Sequence, residues 1–234
     1  MINTLKVLGS VGYLGGLMAV PEAFCWAWGH LVAFTNEYVC QDGESVQYLK
    51  ASMSLHAGAR NDLARRMLGD WLVMLDCDEV FPPEVILQLI TLHQRYRAPV
   101  ISGVYRHKAK PHHPMLWHWS EAQDEPGFVP ILEVDNTKPL VKVDAAGGGC
   151  LFVHRSVFAR LKERFPKEDP FDHRGRYGED FSFFLRLKEA GIPVYAAPQV
   201  EVTHLRVHGI TADDYEPEWF ADDAQVQLVC VQGA

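Results

Sequence analysis

The sequence has no excess of positive charge. Lys and Arg number 22 against 30 Asp and Glu, a formal net charge of −8. That balance excludes a surface that holds nucleic acid non-specifically through its phosphates, although a local basic groove is still allowed. Cysteine is scarce as well: five in 234 residues, odd in number, widely spaced and with no Cys-x-x-Cys pair. A disulfide framework is therefore excluded, and a reducing cytoplasm is the expected compartment. No apolar run reaches the ~20 continuous residues of a transmembrane helix. The best candidate, Leu5 to Val20 with Lys6 near its start, is cut by Gly9, Gly12, Gly15 and Gly16. It is too broken for a signal peptide, so no cleavable leader is expected. His107, His112 and His113 have no partner at zinc spacing. There is no internal repeat. What remains is an ordinary globular balance, 48% hydrophobic and 22% charged.

The chain is organised around Trp71-Leu72-Val73-Met74-Leu75-Asp76-Cys77-Asp78-Glu79. A short apolar run bounded by polar residues reads as a strand buried on both faces. The acids fall at its C-terminal end, where open α/β sheets hold their ligands. At a strand period of two, Asp76 and Asp78 point the same way and Cys77 points back.

Around this stretch, helices and strands alternate, the pattern of an α/β sheet with parallel strands. A first strand is expected over about Leu5 to Leu8, followed by a glycine-rich loop containing Ser10. Pro21-Glu22 opens a helix through Trp28 to Phe34, and Ser45 to Lys50 is a second strand. Ser54 caps an amphipathic helix with Leu55, Ala59, Leu63 and Met67 on one stripe and Gly69 as its stop. Pro82-Pro83-Glu84 begins the helix that buries Val85, Ile86, Leu89, Ile90 and Leu92, and Val100 to Tyr105 is the next strand. His107 to Asn136 lacks a sustained period and reads as a functional loop. Leu140 to Val143 and Leu151 to Val153 are strands flanking Gly147-Gly148-Gly149. Ser156 caps a short helix to Leu161, and Glu179 to Ala190 is a further helix. Val194 to Val202 is strand-like and ends at Thr203-His204.

Several constellations carry chemistry, each beside a structural reading. Asp76-Cys77-Asp78 either caps the following helix or holds a divalent ion on a diphosphate. Because Pro82-Pro83 already starts that helix, both acids lie in the connecting loop, where hard oxygen ligands suit Mg²⁺ or Mn²⁺. Gly58-Ala59-Arg60-Asn61-Asp62 offers a guanidinium to phosphates and an amide to a base or ribose edge. On this helix alone a solvated arginine is the favoured reading. Glu179 and Asp180 at a helix start stabilise its dipole, or Asp180 takes a proton from an attacking hydroxyl. His204 is a lone structural histidine or completes a metal site, with His208 a weaker candidate. Trp117 and Trp119 stack on sugars or bases, or are simply core.

Ala59-Arg60-Asn61, Asp76-Cys77-Asp78, Gly178-Glu179-Asp180 and Thr203-His204-Leu205, in that order, resemble the GT-A-fold glycosyltransferases. The likeness is to the small family-2-like members of bacteria and their phages, and it spans roughly Leu5 to Arg206. It implies a Rossmann-like nucleotide-diphospho-sugar transferase: a mixed, mostly parallel sheet flanked by helices. One catalytic domain over 1–210 is expected, with a nucleotide-sugar half to about 106, an acceptor half over 107–210, and an acidic tail over 211–234. By the same resemblance Asp78 and His204 coordinate Mn²⁺ or Mg²⁺, with Asp76 on the ribose or a metal-bound water. Arg60 and Asn61 lie beside the nucleotide, and Gly148 and Gly149 lie near the donor sugar. Asp180 is the base, supported by Glu179. The implied donor is a nucleotide-diphosphate sugar, usually UDP-linked. The first loop, with Ser10, lacks the acid that many relatives place there. The Gln-x-x-Arg-Trp motif of processive synthases is absent, so transfer of one sugar to an acceptor is expected, with inversion.

Three other readings compete. A phosphohydrolase would use Asp-x-Asp as nucleophile and acid, but usually on its first strand. A nucleotidyltransferase would release pyrophosphate. A nucleotide-sugar or glycan-binding module would need the tryptophans and not Asp180. The acceptor is a glycan, a protein or, as a minority reading, a hydroxymethylated base in phage DNA. The last requires a basic surface from Arg106, Lys108, Lys110, Arg174 and Arg176.

Overall fold

The computed structural model describes residues 5–15, 20–51, 55–122 and 126–205. The expected cap Ser54, His208 and the tail over 211–234 lie outside the described residues. In chain order the first elements are β1 (Lys6–Leu14), α1 (Glu22–Tyr38), β2 (Glu44–Ala51), α2 (His56–Arg66) and β3 (Trp71–Asp76). Then come β4 (Glu79–Val80), α3 (Val85–Tyr96), β5 (Val100–Val104), β6 (Leu116–Ser120) and β7 (Gly127–Pro130). The remainder is β8 (Val141–Val143), β9 (Ala145–Ala146), β10 (Cys150–His154), α4 (Arg155–Arg164), α5 (Glu179–Glu189), β11 (Val194–Glu201) and β12 (Thr203–His204).

The main sheet has seven strands in the order β2-β1-β3-β10-β5-β11-β8. β1 runs parallel to β2 and β3, and β11 parallel to β5. β10 runs antiparallel between β3 and β5, and β8 antiparallel to β11. The strands that run together bring their C-terminal ends to one edge, where such sheets hold ligands. Burial explains the apolar run of β3. Leu72 and Met74 enter the core shared with α2, α4 and α5, while Val73 and Leu75 enter the one shared with α1 and α3. All four side chains are fully buried.

Three expectations need correction. β1 continues through Leu14, so Ser10 lies in a strand and not in a loop. Its glycines serve close packing: a Cβ on Gly9 would lie 2.2 Å from the Trp71 ring. The stretch from His107 to Asn136 contains the β6-β7 hairpin, whose Trp117 pairs with Pro130 and, on the other side, with Ala145 of β9. The α4 cap is His154, whose Nδ1 accepts from the Ser156 amide.

Tertiary pairing then sets out the cleft. β4 and β12 form a two-stranded ribbon with His204 opposite Glu79, and the Leu205 amide donates to the Asp78 carbonyl at 2.7 Å. A histidine more than a hundred residues downstream is thereby laid against the acidic turn.

Candidate active site

Arg60 is the centre of the site. It sits on α2 with 1% of its side chain exposed, so the solvated-arginine reading of that helix is overturned. A buried guanidinium needs carboxylates or carbonyls on its donors. Nη2 donates to both oxygens of Asp76 at 3.1 Å, and Nη1 to the Gly148 carbonyl at 2.7 Å. Nε faces Asp180 Oδ1 at 3.3 Å and Glu179 Oε1 at 3.9 Å. Burial works against its charge, but the three acids hold its pKa above the ordinary arginine value. One side chain thus joins the end of β3 to the start of α5.

The glycines before β10 make room for this convergence. The Gly148 amide donates to Asp180 Oδ2 at 3.1 Å, and a Cβ there would lie 2.5 Å from the Arg60 guanidinium carbon. The Gly149 amide donates to the Tyr105 hydroxyl at 3.0 Å, and its carbonyl accepts from the Asp76 amide at 2.8 Å. A Cβ on Gly149 would lie 1.9 Å from Glu79 Oε1. Burial raises the Asp180 and Asp76 carboxyls above the usual aspartate range, and Arg60 limits both rises.

Asp76 and Asp78 part company, because Cys77 and Asp78 form a turn and the strand period does not carry past Asp76. Asp78 Oδ2 meets the Lys108 ammonium and lies 3.5 Å from His204 Nε2. Burial opposes its ionisation, yet His204 and Lys108 hold its pKa well below the usual carboxylate range. His204 Nδ1 lies 3.0 Å from the Arg106 carbonyl. A carbonyl only accepts, so Nδ1 carries the hydrogen and Nε2 is turned to Asp78, the orientation of a metal-binding imidazole. Asp76 does not join this pair, and among the described residues no three His, Cys, Asp or Glu side chains group to hold a metal ion. The donor set Asp78–His204 still fits Mn²⁺, because such ions take few protein ligands beside substrate phosphates.

Two expected donor-binding residues are engaged elsewhere. Asn61 is buried, donating to Asp172 at 3.0 Å and accepting from the Phe171 amide at 2.9 Å. Ser10 is buried in β1 and bonds Gln47 at 2.6 Å and the Leu68 carbonyl at 3.0 Å. Neither presents a free polar group to the cleft.

Sequence reasoning misses Glu79 and Tyr105 as cleft residues and names Lys108 only for a basic acceptor surface. Glu79 is fully buried, and among the described residues neither carboxyl oxygen has a hydrogen-bond partner. Burial, reinforced by Asp76 and Asp78, pushes its pKa well above the glutamate value. Its one sequence signal is its place directly after Asp78, which does not tell a buried acid from an exposed one.

A model of the family described as "Glycosyl transferase family 2" matches residues 33–161, more than half of the chain. The chain belongs to this family. The match runs from α1 into α4, across Arg60, both acids of the β3 turn and the Gly147–Gly149 segment, so the Arg60-centred cleft lies largely within it. No curated protein matches by sequence. Among solved structures, A197 from STIV aligns with TM-score 0.51 and 16% identity, over 86% of this chain and 96% of that one. GalNAc-T7, solved with UDP, GalNAc and Mn²⁺, aligns with TM-score 0.52 and 16% identity, over 88% of this chain and 45% of that one. At that identity the likeness concerns the fold, which is GT-A. The protein is a glycosyltransferase with a mixed α/β sheet of mostly parallel strands. No helix among the described residues is long and apolar enough to cross a membrane.

Proposed function

We propose that this glycosyltransferase moves a single sugar from a nucleoside-diphosphate sugar to an acceptor hydroxyl, by direct displacement with inversion. Asp180 is the base. It takes the acceptor proton as the hydroxyl oxygen bonds to the anomeric carbon and the bond from that carbon to the diphosphate oxygen breaks. Asp78 and His204 would hold Mn²⁺ or Mg²⁺, which when bound supplies Lewis-acid stabilisation of the departing diphosphate. Asp76 orients Arg60, and Glu179 adds to the same charge cluster.

The observation that carries this reading is the buried Arg60, clamped between Asp76 of the β3 turn and Asp180 of α5. It joins the residues expected at the donor to the residue expected at the acceptor. Asp180 also has the environment of a tuned base, with a raised pKa and a side chain still 27% exposed. The surrounding carboxylates of Asp76, Asp78, Glu179 and Asp180 outnumber the cations Arg60 and Lys108, a surplus that favours an additional cation.

Asp180→Asn is expected to lower turnover by about 10²–10⁴-fold, the usual contribution of a general base, with donor binding retained. Asp78→Ala is expected to abolish transfer and also to weaken Mn²⁺-dependent donor binding. Turnover assays and calorimetric titration of the donor with and without Mn²⁺ separate the two. An active Asp180→Asn enzyme would remove the base assignment.

A further inference from the structure

A cavity of about 440 Å³ opens at the C-terminal ends of β5 and β11, lined in part by Arg106, Lys108, His112, Asn136, Glu201 and His204. Its size is that of a small-molecule pocket. In the sheet order it lies beyond β10, so β5 and β11 are two and three strands from β3, roughly 10–14 Å at the usual strand spacing. The cavity therefore adjoins the Asp78–His204 pair on the side away from β1 and β2.

The loop that forms one wall is built. Arg106 bridges Pro114, the His107 amide donates to the His113 carbonyl at 2.9 Å, and the His112 amide to the Ala109 carbonyl at 3.0 Å. The rings of His107 and His113 stack with centroids 5.3 Å apart. Within this frame Arg106 is exposed, and among the described residues its guanidinium bonds only the His112 carbonyl, at 3.2 Å. Among the described residues it has no carboxylate partner. Among the described residues Glu201 is the one carboxylate on the lining, whereas Arg106, Lys108 and three imidazoles line it with donors or positive charge. An uncompensated guanidinium in a concave wall attracts anions and offers paired N–H groups to phosphate or carboxylate oxygens.

The five cations that a DNA acceptor requires do not share this wall. Arg174 is committed to Glu168 and Glu189 at 2.8 and 2.7 Å, and Arg176 reaches the Pro126 carbonyl at 3.4 Å. The positive wall is compact, sized for one small group.

We propose that this cavity is an acceptor subsite for an anionic group, a phosphate or carboxylate carried by the acceptor glycan, with Arg106 as its anchor. The proposal rests on the cleft reading above in placing the donor on the β1–β3 side. Its test is a titration of the whole chain with glucose, glucose 6-phosphate and glucuronate, followed through histidine proton NMR signals. It is run with and without Mg²⁺ and a saturating nucleoside diphosphate, the one released in a donor-hydrolysis screen. Both anionic sugars are expected to bind about tenfold more tightly than glucose, nucleotide present or not, and Arg106→Gln to remove that preference. Binding of the phosphate alone would identify the group as phosphate, and of the carboxylate alone as carboxylate. The proposal is overturned by equal binding of glucose, by exclusion of the anion when nucleotide binds, or by an unaffected Arg106→Gln protein. Tighter binding of a DNA oligonucleotide than of either anionic sugar would overturn it in favour of a nucleic-acid acceptor. Failure of the cleft reading registers separately, as nucleoside diphosphate that binds independently of Mg²⁺ and of Asp78.

Discussion

Glu79 shows what a single residue contributes when burial, and not exposure, sets its chemistry. Its carboxyl group is enclosed behind Gly149 and the acids of the β3 turn, without a hydrogen-bond partner among the described residues. In the folded metal-free protein it therefore stays protonated past the pH at which the unfolded chain ionises, near 4.3 for a free glutamate. Over that interval the native state binds one more proton than the unfolded state, so stability falls as pH rises. We expect the native chain to lose about 1.4 kcal/mol per pH unit relative to Glu79→Gln from about pH 5 upward, until the folded pKa is passed. Urea denaturation in EDTA at pH 5, 6 and 7 measures it. Parallel curves for the two proteins would mean that Glu79 is ionised and partnered. Arg60 is the converse case, a buried charge stabilised because three carboxylates and a carbonyl surround it.

At the scale of elements, α2 connects the two halves of the cleft. Arg60 faces Asp76, Glu179 and Asp180, and the next residue, Asn61, turns to the segment before α5 through Asp172 and Phe171. That segment is also held by Arg186, which donates to Glu168 at 2.7 Å and to the Asp172 carbonyl at 2.7 Å. Asn61→Ala removes two hydrogen bonds and leaves the buried Phe171 amide without its acceptor. A loss of about 1–3 kcal/mol in unfolding free energy is expected, with fluorescence-detected urea unfolding as the check. An unchanged midpoint would assign the whole duty to Arg186. Asn61 takes this anchoring position beside Arg60 because a helix places adjacent residues about 100° apart, so the two side chains point to different neighbours.

For the whole molecule, the cleft is assembled at one edge of a single sheet, so ligands that fill it stabilise the entire fold. A nucleoside diphosphate near a hundred times its dissociation constant, added to the Mn²⁺-saturated protein, is expected to contribute about 2.7 kcal/mol. For a chain of this size that raises Tm by about 5–10 °C in a thermal melt. Asp78→Ala should reduce the increment that depends on Mn²⁺. An equal shift in Asp78→Ala would place the ion elsewhere.

Local pattern made much of the architecture legible. The β3 run and the helix starts at Pro21 and Glu179 follow from periodicity and turn chemistry that act within a few residues, whereas α2 ends at Arg66, before the expected stop at Gly69. The order of the motifs is legible as well, and it points to the glycosyltransferase family. Local pattern fails where a residue type serves two purposes. Glycines in β1 looked like a loop because a close approach to Trp71 is invisible without the partner strand. The β6-β7 hairpin was hidden because its pairing with β9 is non-local.

Amino-acid order by itself determined which segments bury themselves and that two acids, an arginine and a later acidic helix start belong to one enzyme family. Only the tertiary structure decided the electrical state of those groups. Arg60 meets the carbonyl of Gly148 across 88 residues of chain, and His204 meets Asp78 only because β12 pairs with β4. Whether a carboxyl is paired, buried or free depends on neighbours brought by packing and on the water they displace, and neither is encoded in the residues beside it.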